Sequence, residues 1–231
     1  METAIAPPKR EIFCEDAITW LEHRMPLPKS SLVTSLPDIS EFPNYTLDQW
    51  KDWFVKTAAL VLTRTPDDGV TVFYQSDIKI DGTWVDKGYL AQKAAEACGH
   101  ALLWHKIVSR VDPGQATFGR PGYSHMLCFS KSARADISKS SPDVLPELGD
   151  KTWERGMGLE ACVLIAKFIA EQTASTTLIN PFCGQGSMLA AANAFGLNAI
   201  GIERSAKRAE LARRLQIDVR AKSWVNDAPS P

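Results

Sequence analysis

The 231-residue chain has no basic excess: 26 Lys and Arg stand against 27 Asp and Glu, a net charge of −1. Proteins held to nucleic acid mainly by phosphate contacts show a basic surplus or patch. A nucleic-acid role must therefore be argued from something other than composition. Paired cysteines are missing as well. Cys14, Cys98, Cys128, Cys162 and Cys183 include no C-x-x-C spacing. That, with their odd number, speaks against zinc or disulfides and for core thiols in a reducing compartment. No apolar run is long enough to span a membrane, and Met1–Arg10 lacks the apolar segment of a signal peptide. The expectation is a soluble, cytoplasmic protein with no metal site and no membrane partner. Internal repeats and low-complexity tracts are also absent.

What is present is an ordinary globular composition, 45% hydrophobic and 23% charged, within the size range of one domain. The most informative stretch runs from Thr176 to Arg214. Thr177-Leu178-Ile179 reads as a buried strand. A tight turn with Gly184 and Gly186 leads into an alanine-rich helix, Ser187 to Phe195, closed by Gly196. Asn198 to Ile202 is a second strand ending in Glu203, and Ser205 caps a further helix. This is a strand–helix–strand unit of a parallel sheet, where ligands bind beyond the C-terminal strand ends. The glycines allow close approach to the backbone, and an acid about 20 residues on suits a ribose diol. Dinucleotide and S-adenosylmethionine sites both fit that description, as does a plain unit whose glycines only make turns. Leu189 stands where G-x-G-x-x-G requires its last glycine.

Earlier in the chain, Glu11 to Cys14 reads as a short strand, with Asp16 opening a helix from Ala17 to Arg24. Ser31 to Thr34 is a strand leading into Ser35-Leu36-Pro37-Asp38. A helix is expected from Leu47 to Leu62, a strand from Val70 to Gln75, a polar loop from Ser76 to Trp84 and a helix from Lys87 to Ala97. His100 to Val108 and Met126 to Ser130 are expected to pair across a long loop rich in Gly, Pro and Arg, which reads as functional or as a plain hairpin loop. Ser130 to Asp150 reads as a linker or a short substrate-facing excursion, and Gly158 to Thr173 as a helix. Residues 1–10 and 224–231 read as a disordered and a frayed tail around one domain, 11–223.

Six segments in order resemble the β-class amino-methyltransferases of DNA. Pro181-Phe182-Cys183-Gly184-Gln185-Gly186 resembles their D-P-F-x-G-S-G turn, and Ile200 to Glu203 their ribose-binding strand end. Phe13 to Asp16 takes the place of the strand whose terminal acid meets adenine. Val33 to Asp38 resembles the catalytic V-T-S-P-P-Y. Leu103 to Lys106 and Ser124 to Lys131 resemble the two strands that follow it. The resemblance spans about residues 11 to 215 and puts the catalytic segment before the cofactor turn, the permuted order of that class. It implies a Rossmann-like α/β methyltransferase fold: a mostly parallel sheet, helices on both faces and an antiparallel strand pair at one edge. It also implies S-adenosyl-L-methionine as cofactor, held by Asp16, Asn180, Pro181, Phe182, Gly184, Gly186, Ser187 and Glu203. Ser35, Leu36, Pro37 and Asp38 become the catalytic segment.

The chain departs from the pattern where it matters. Asn180 replaces the acid before Pro-Phe, Leu36 replaces the first catalytic proline, and Asp38 replaces the aromatic that stacks on the base. Asp38 reads as a base, a charge, or only a loop cap. Tyr45, Trp84, Arg120 and Tyr123 are the candidates for substrate contact. Because Ser130–Asp150 is short for a DNA-recognition insertion, RNA is expected as the substrate in preference to DNA. Methylation of a small molecule, a protein or DNA, and an inactive methyltransferase-like scaffold subunit, are the other readings.

Overall fold

The computed structural model describes residues 7–226. The chain begins with β1 (Arg10–Phe13), α1 (Ala17–Glu22), β2 (Ser30–Thr34), α2 (Leu47–Thr63) and β3 (Thr71–Gln75). Next come β4 (Ile78–Ile80), β5 (Thr83–Val85), α3 (Lys87–Ala97), β6 (Ala101–Ser109), β7 (Tyr123–Ser130) and β8 (Val144–Leu145). It continues through α4 (Leu159–Gln172), β9 (Thr177–Asn180), α5 (Ser187–Ala194), β10 (Asn198–Ile202), α6 (Ala206–Arg214), β11 (Leu215–Asp218) and β12 (Ser223–Asn226).

Eight strands form one sheet in the order β1-β10-β9-β2-β3-β7-β6-β8. The first five pair in parallel, whereas β7 runs antiparallel to both β3 and β6. Every residue of β2 and β3 is buried, as strands covered on both faces must be. Side-chain alternation then divides the core. Val33, Val72 and Leu178 face Ile165 and Leu189 of α4 and α5. Their neighbours Leu32, Phe73 and Ile179 face Leu21, Phe54 and Ala91 of α1, α2 and α3. Local signals start the helices: Asp16, Asp86 and Ser205 cap α1, α3 and α6, and Thr46 with Gln49 makes a full capping box at α2.

Several expectations need correction. Residues 76–84, expected as a polar loop, hold the β4–β5 hairpin. The excursion 131–150 includes β8, which adds a parallel edge strand to β6. Lys106 pins it there, its Nζ donating to the carbonyls of Ser141 and Pro142 at 2.8 and 3.1 Å. Arg10, expected in a tail, lies in β1 and donates to Asn193 Oδ1 at 2.7 Å and to the carbonyls of Ala212 and Leu215 at 2.9 and 2.5 Å. Trp224 to Asn226 belong to β12, paired with β11, and are not frayed. Residues 1–6 and 227–231, the rest of the expected tails, lie outside the described residues. Among the described residues no helix is long and apolar enough to cross a membrane.

Candidate active site

The five parallel strands end on one side of the sheet, and their tips surround a cavity of about 440 Å³. That volume lies within the roughly 300–1,000 Å³ of small-molecule and cofactor sites. Two segments far apart in sequence meet there: Ser35, Leu36, Pro37 and Asp38 after β2, and Asn180, Pro181, Phe182 and Gly184 after β9. Asp16, Ser187, Glu203 and Arg120 also line it.

The turn after β9 is built from its own backbone. Asn180 Oδ1 accepts from the Phe182 N–H at 3.2 Å, and the Cys183 N–H donates to the Ile202 carbonyl at 3.0 Å. Gly184 and Gly186 have φ of +56° and +86°, which glycine adopts without strain. Gly186 does not line the cavity. A Cβ there would sit 2.8 Å from Ala212 Cα, so this glycine lets α5 pack against α6. A Cβ on Gly184 would come within 3.3 Å of the Trp153 ring, which lines the cavity.

Glu203 is 7% exposed, and its Oε1 accepts from the Ser205 N–H at 2.7 Å and from Arg208 at 2.8 Å. Its Oε2 has no protein partner among the described residues. Arg208 in turn lies over Trp153, 5.6 Å from the ring centroid. Asp16 is divided similarly. Oδ1 caps α1 by accepting from the Thr19 N–H at 3.0 Å, and Oδ2 is uncommitted among the described residues. Two spare carboxylate oxygens at adjacent strand tips suit the diol and amino group of an adenosine, and a glycine turn beside them leaves room for its extension. The residues present therefore fit S-adenosylmethionine. Cys183 is no competing nucleophile, because burial, with Glu203 adding to it, pushes its thiol up to about 12.

At the other end of the cavity Asp38 is neither exposed nor a loop cap: its side chain makes no capping bond to the 3₁₀ turn Ile39–Glu41. Its Oδ2 lies 3.1 Å from Lys87 Nζ and 2.9 Å from Arg120 Nη2. Burial pushes the carboxyl up, but the two cations outweigh that and hold it below the ordinary carboxylate value. A carboxylate so paired is a fixed counter-charge and a poor base at neutral pH. Trp50 steadies the same segment, its Nε1–H donating to the Pro37 carbonyl at 3.3 Å.

Three candidate substrate residues stand outside the cavity. Tyr45 packs on Phe42 with ring centroids 5.1 Å apart, Trp84 donates to Asp77 at 3.1 Å, and Tyr123 meets His125 edge-on at 5.3 Å. In their place the structure brings Phe42, Trp53 and Trp153 to the cavity wall. Lys87 is a further residue that sequence reasoning misses. A lysine in the first turn of a helix ordinarily reads as solvated, and nothing in its neighbours marks it as buried.

Strand order and site geometry together define a Rossmann-like methyltransferase fold. No protein-family model and no curated protein matches the sequence. Solved structures do. The putative DNA modification methylase TTHA0409 of Thermus thermophilus, complexed with S-adenosyl-L-methionine, superposes with a TM-score of 0.67 at 18% identity, over 88% of this chain and 91% of that one. PvuII DNA methyltransferase, cytosine-N4-specific, gives 0.65 at 17% identity, over 89% and 86%. The M1.HpyAVI–SAM complex gives 0.61 at 14%, over 88% and 98%. These comparisons overturn the expected preference for RNA over DNA. The first two proteins are DNA methylases by description, and this chain spans 91% and 86% of them. A short 131–150 segment thus does not separate it from enzymes of DNA.

Proposed function

We propose that this chain is an S-adenosylmethionine-dependent methyltransferase acting on an exocyclic amine of a DNA base, with one catalytic domain that takes in β1 through β12, residues 10–226. The observation that carries the reading is the meeting of the Ser35–Asp38 segment and the 180–187 turn in one cavity. Bound there, the cofactor would supply a methyl group made electrophilic by its sulfonium. Glu203 would accept from the ribose hydroxyls through Oε2, and Asp16 from the adenine amino group through Oδ2. Asn180, Pro181, Phe182, Gly184 and Ser187 would border the methionine end.

The chain's own contribution to the reaction is alignment, which suffices where a good leaving group is already in place. The Ser35 hydroxyl and the Leu36 carbonyl would accept hydrogen bonds from the amine and aim its lone pair. Pro37, tied to Trp50, fixes the direction of that carbonyl. Asp38 holds the segment through Lys87 and Arg120; as the nitrogen–methyl bond forms and the methyl–sulfur bond breaks, the thioether would leave as the demethylated cofactor and the amine's proton would pass to solvent.

Calorimetry with S-adenosylmethionine and its demethylated product tests the cofactor; failure of both to bind would sink the reading. Incubation with methyl-labelled cofactor and separate pools of DNA, RNA and small molecules tests the substrate. Label is expected in DNA and absent from it in a Ser35→Ala, Asp38→Ala double variant.

A further inference from the structure

Two large aromatic side chains project into solvent near the cavity. Phe118, in the loop 110–122, is 90% exposed, and Trp84, on β5, is 46% exposed. Isolated exposed aromatics are common, but here one cation ties Trp84 to the residue before Phe118. Lys79 Nζ donates to the Thr117 carbonyl at 3.2 Å and lies 4.8 Å from the Trp84 ring centroid. Trp84 is mounted on a hydrogen-bonded network. Asp77 Oδ2 accepts from Trp84 Nε1 and pairs with His125 Nε2 at 2.9 Å, and Asp77 Oδ1 accepts from the Lys87 N–H at 2.8 Å. Two residues beyond Phe118, Arg120 enters the cavity and meets Asp38. The hairpin and the loop thus make a continuous shelf leading to the Ser35–Asp38 segment.

Charge then narrows what this shelf can hold. Over 78–86 and 110–122, Lys79, Arg110 and Arg120 are balanced by Asp81, Asp86 and Asp112. Intact duplex DNA, whose outer face is phosphate, finds little net attraction there. Unpaired bases find two aromatic faces, and stacking on them tolerates any sequence. An exocyclic amine inside a duplex must in any case leave the stack before it can react. Resting on the methyltransferase reading above, we propose that the β4–β5 hairpin and the loop 110–122 bind the unpaired DNA bases flanking the target, with Trp84 and Phe118 as stacking platforms.

Fluorescence anisotropy with a labelled single-stranded DNA of about a dozen nucleotides tests this on the full chain. Trp84→Ala and Phe118→Ala are each expected to weaken binding on the order of tenfold. Trp84→Phe should retain most of it, the salt dependence should be shallow, and the matching intact duplex should bind less well. Calorimetry with S-adenosylmethionine should be unchanged in all three variants, which also reports that they are folded. Unchanged DNA affinity in both alanine variants would overturn the proposal, as would a steep salt dependence with preference for duplex, or preference for RNA of the same sequence. If wild-type protein binds the strand through these rings yet binds no cofactor, the methyltransferase reading fails and the shelf stands. If cofactor binds and the rings prove indifferent, only the shelf fails.

Discussion

The Lys87 ammonium lies 3.1 Å from Asp38 Oδ2, with 3% of the lysine side chain and 12% of the aspartate side chain exposed. The pair joins the first turn of α3 to the segment after β2, and Arg120 closes it from the loop above. Removing Lys87 leaves Asp38 still paired with Arg120, whereas removing the carboxylate leaves the buried ammonium uncompensated. Asp38→Asn is therefore expected to cost about 3 kcal/mol in urea unfolding at pH 7, and the Asp38→Asn, Lys87→Met double variant less than that single change. If the double variant is the less stable of the two, the pair is not coupled.

The same pair sets an acid limit. The folded-state pKa of Asp38 is depressed below its ordinary 3.8. Its contribution is fully present above the unfolded value and is lost as pH falls through the folded one. Unfolding midpoints followed downward from pH 5 should drop more steeply for wild type than for Asp38→Asn. Parallel curves would show that Asp38 is not the group responsible.

At Gly186 both φ and space are restrictive: +86°, with Ala212 Cα 2.8 Å from where a Cβ would stand. Gly196 has a similar φ of +79° but open surroundings. Gly196→Ala is expected to cost about 1 kcal/mol from backbone strain alone. Gly186→Ala should add overpacking of roughly 1–3 kcal/mol to that. Thermal unfolding of the two variants separates the contributions, and equal losses would refute the packing role.

Glu203→Gln keeps an acceptor for the Ser205 N–H while removing the charge. S-adenosylmethionine affinity should fall about tenfold or more, the scale of one hydrogen bond to a charged group. Titration calorimetry is the measurement, and undiminished affinity would exclude Glu203 from the cofactor site.

Thiol reactivity reports the burial of the turn. Cys14 is exposed and Cys98 partly so, while Cys128, Cys162 and Cys183 are buried. At pH 8 an aromatic disulfide reagent should modify Cys14 first and Cys98 more slowly, leaving the other three until denaturant is added. Early labelling of Cys183 would contradict its closed environment.

The unit from β9 to α6 is legible in sequence because its signals are local: a strand, two glycines, a capped helix and an acid at the next strand end. The same holds for Asp16, whose cap partner is three residues away. The hairpin β4–β5 and strands β8 and β12 are not legible, since two to four residues become a strand only through a partner supplied by the fold. Asp38 shows the limit most clearly. Its identity reads equally as base, charge or cap. Its role follows from Lys87, 49 residues on, and from Arg120, neither of which carries a local mark of burial beside it. The three aromatics expected at the substrate lie outside the cavity for a related reason. Trp84 and Tyr123 stand in segments that flank the site, but distance along the chain does not say which rings reach a cavity.

Arg10 carries one more implication. Its guanidinium holds the Leu215 carbonyl, and Leu215 is the residue that faces Asn226 across the β11–β12 ladder. The first strand and the last therefore converge on a single residue, and the sheet does not dictate which of its halves is synthesised first. Splicing residue 226 to residue 7 through a short flexible linker and opening the chain between Lys131 and Asp150 should yield a protein of the same topology. In it the glycine turn would leave the ribosome ahead of Ser35–Asp38. Such a rewired chain would carry its cofactor half as a nascent folding unit, which the native order makes only after Ser35–Asp38.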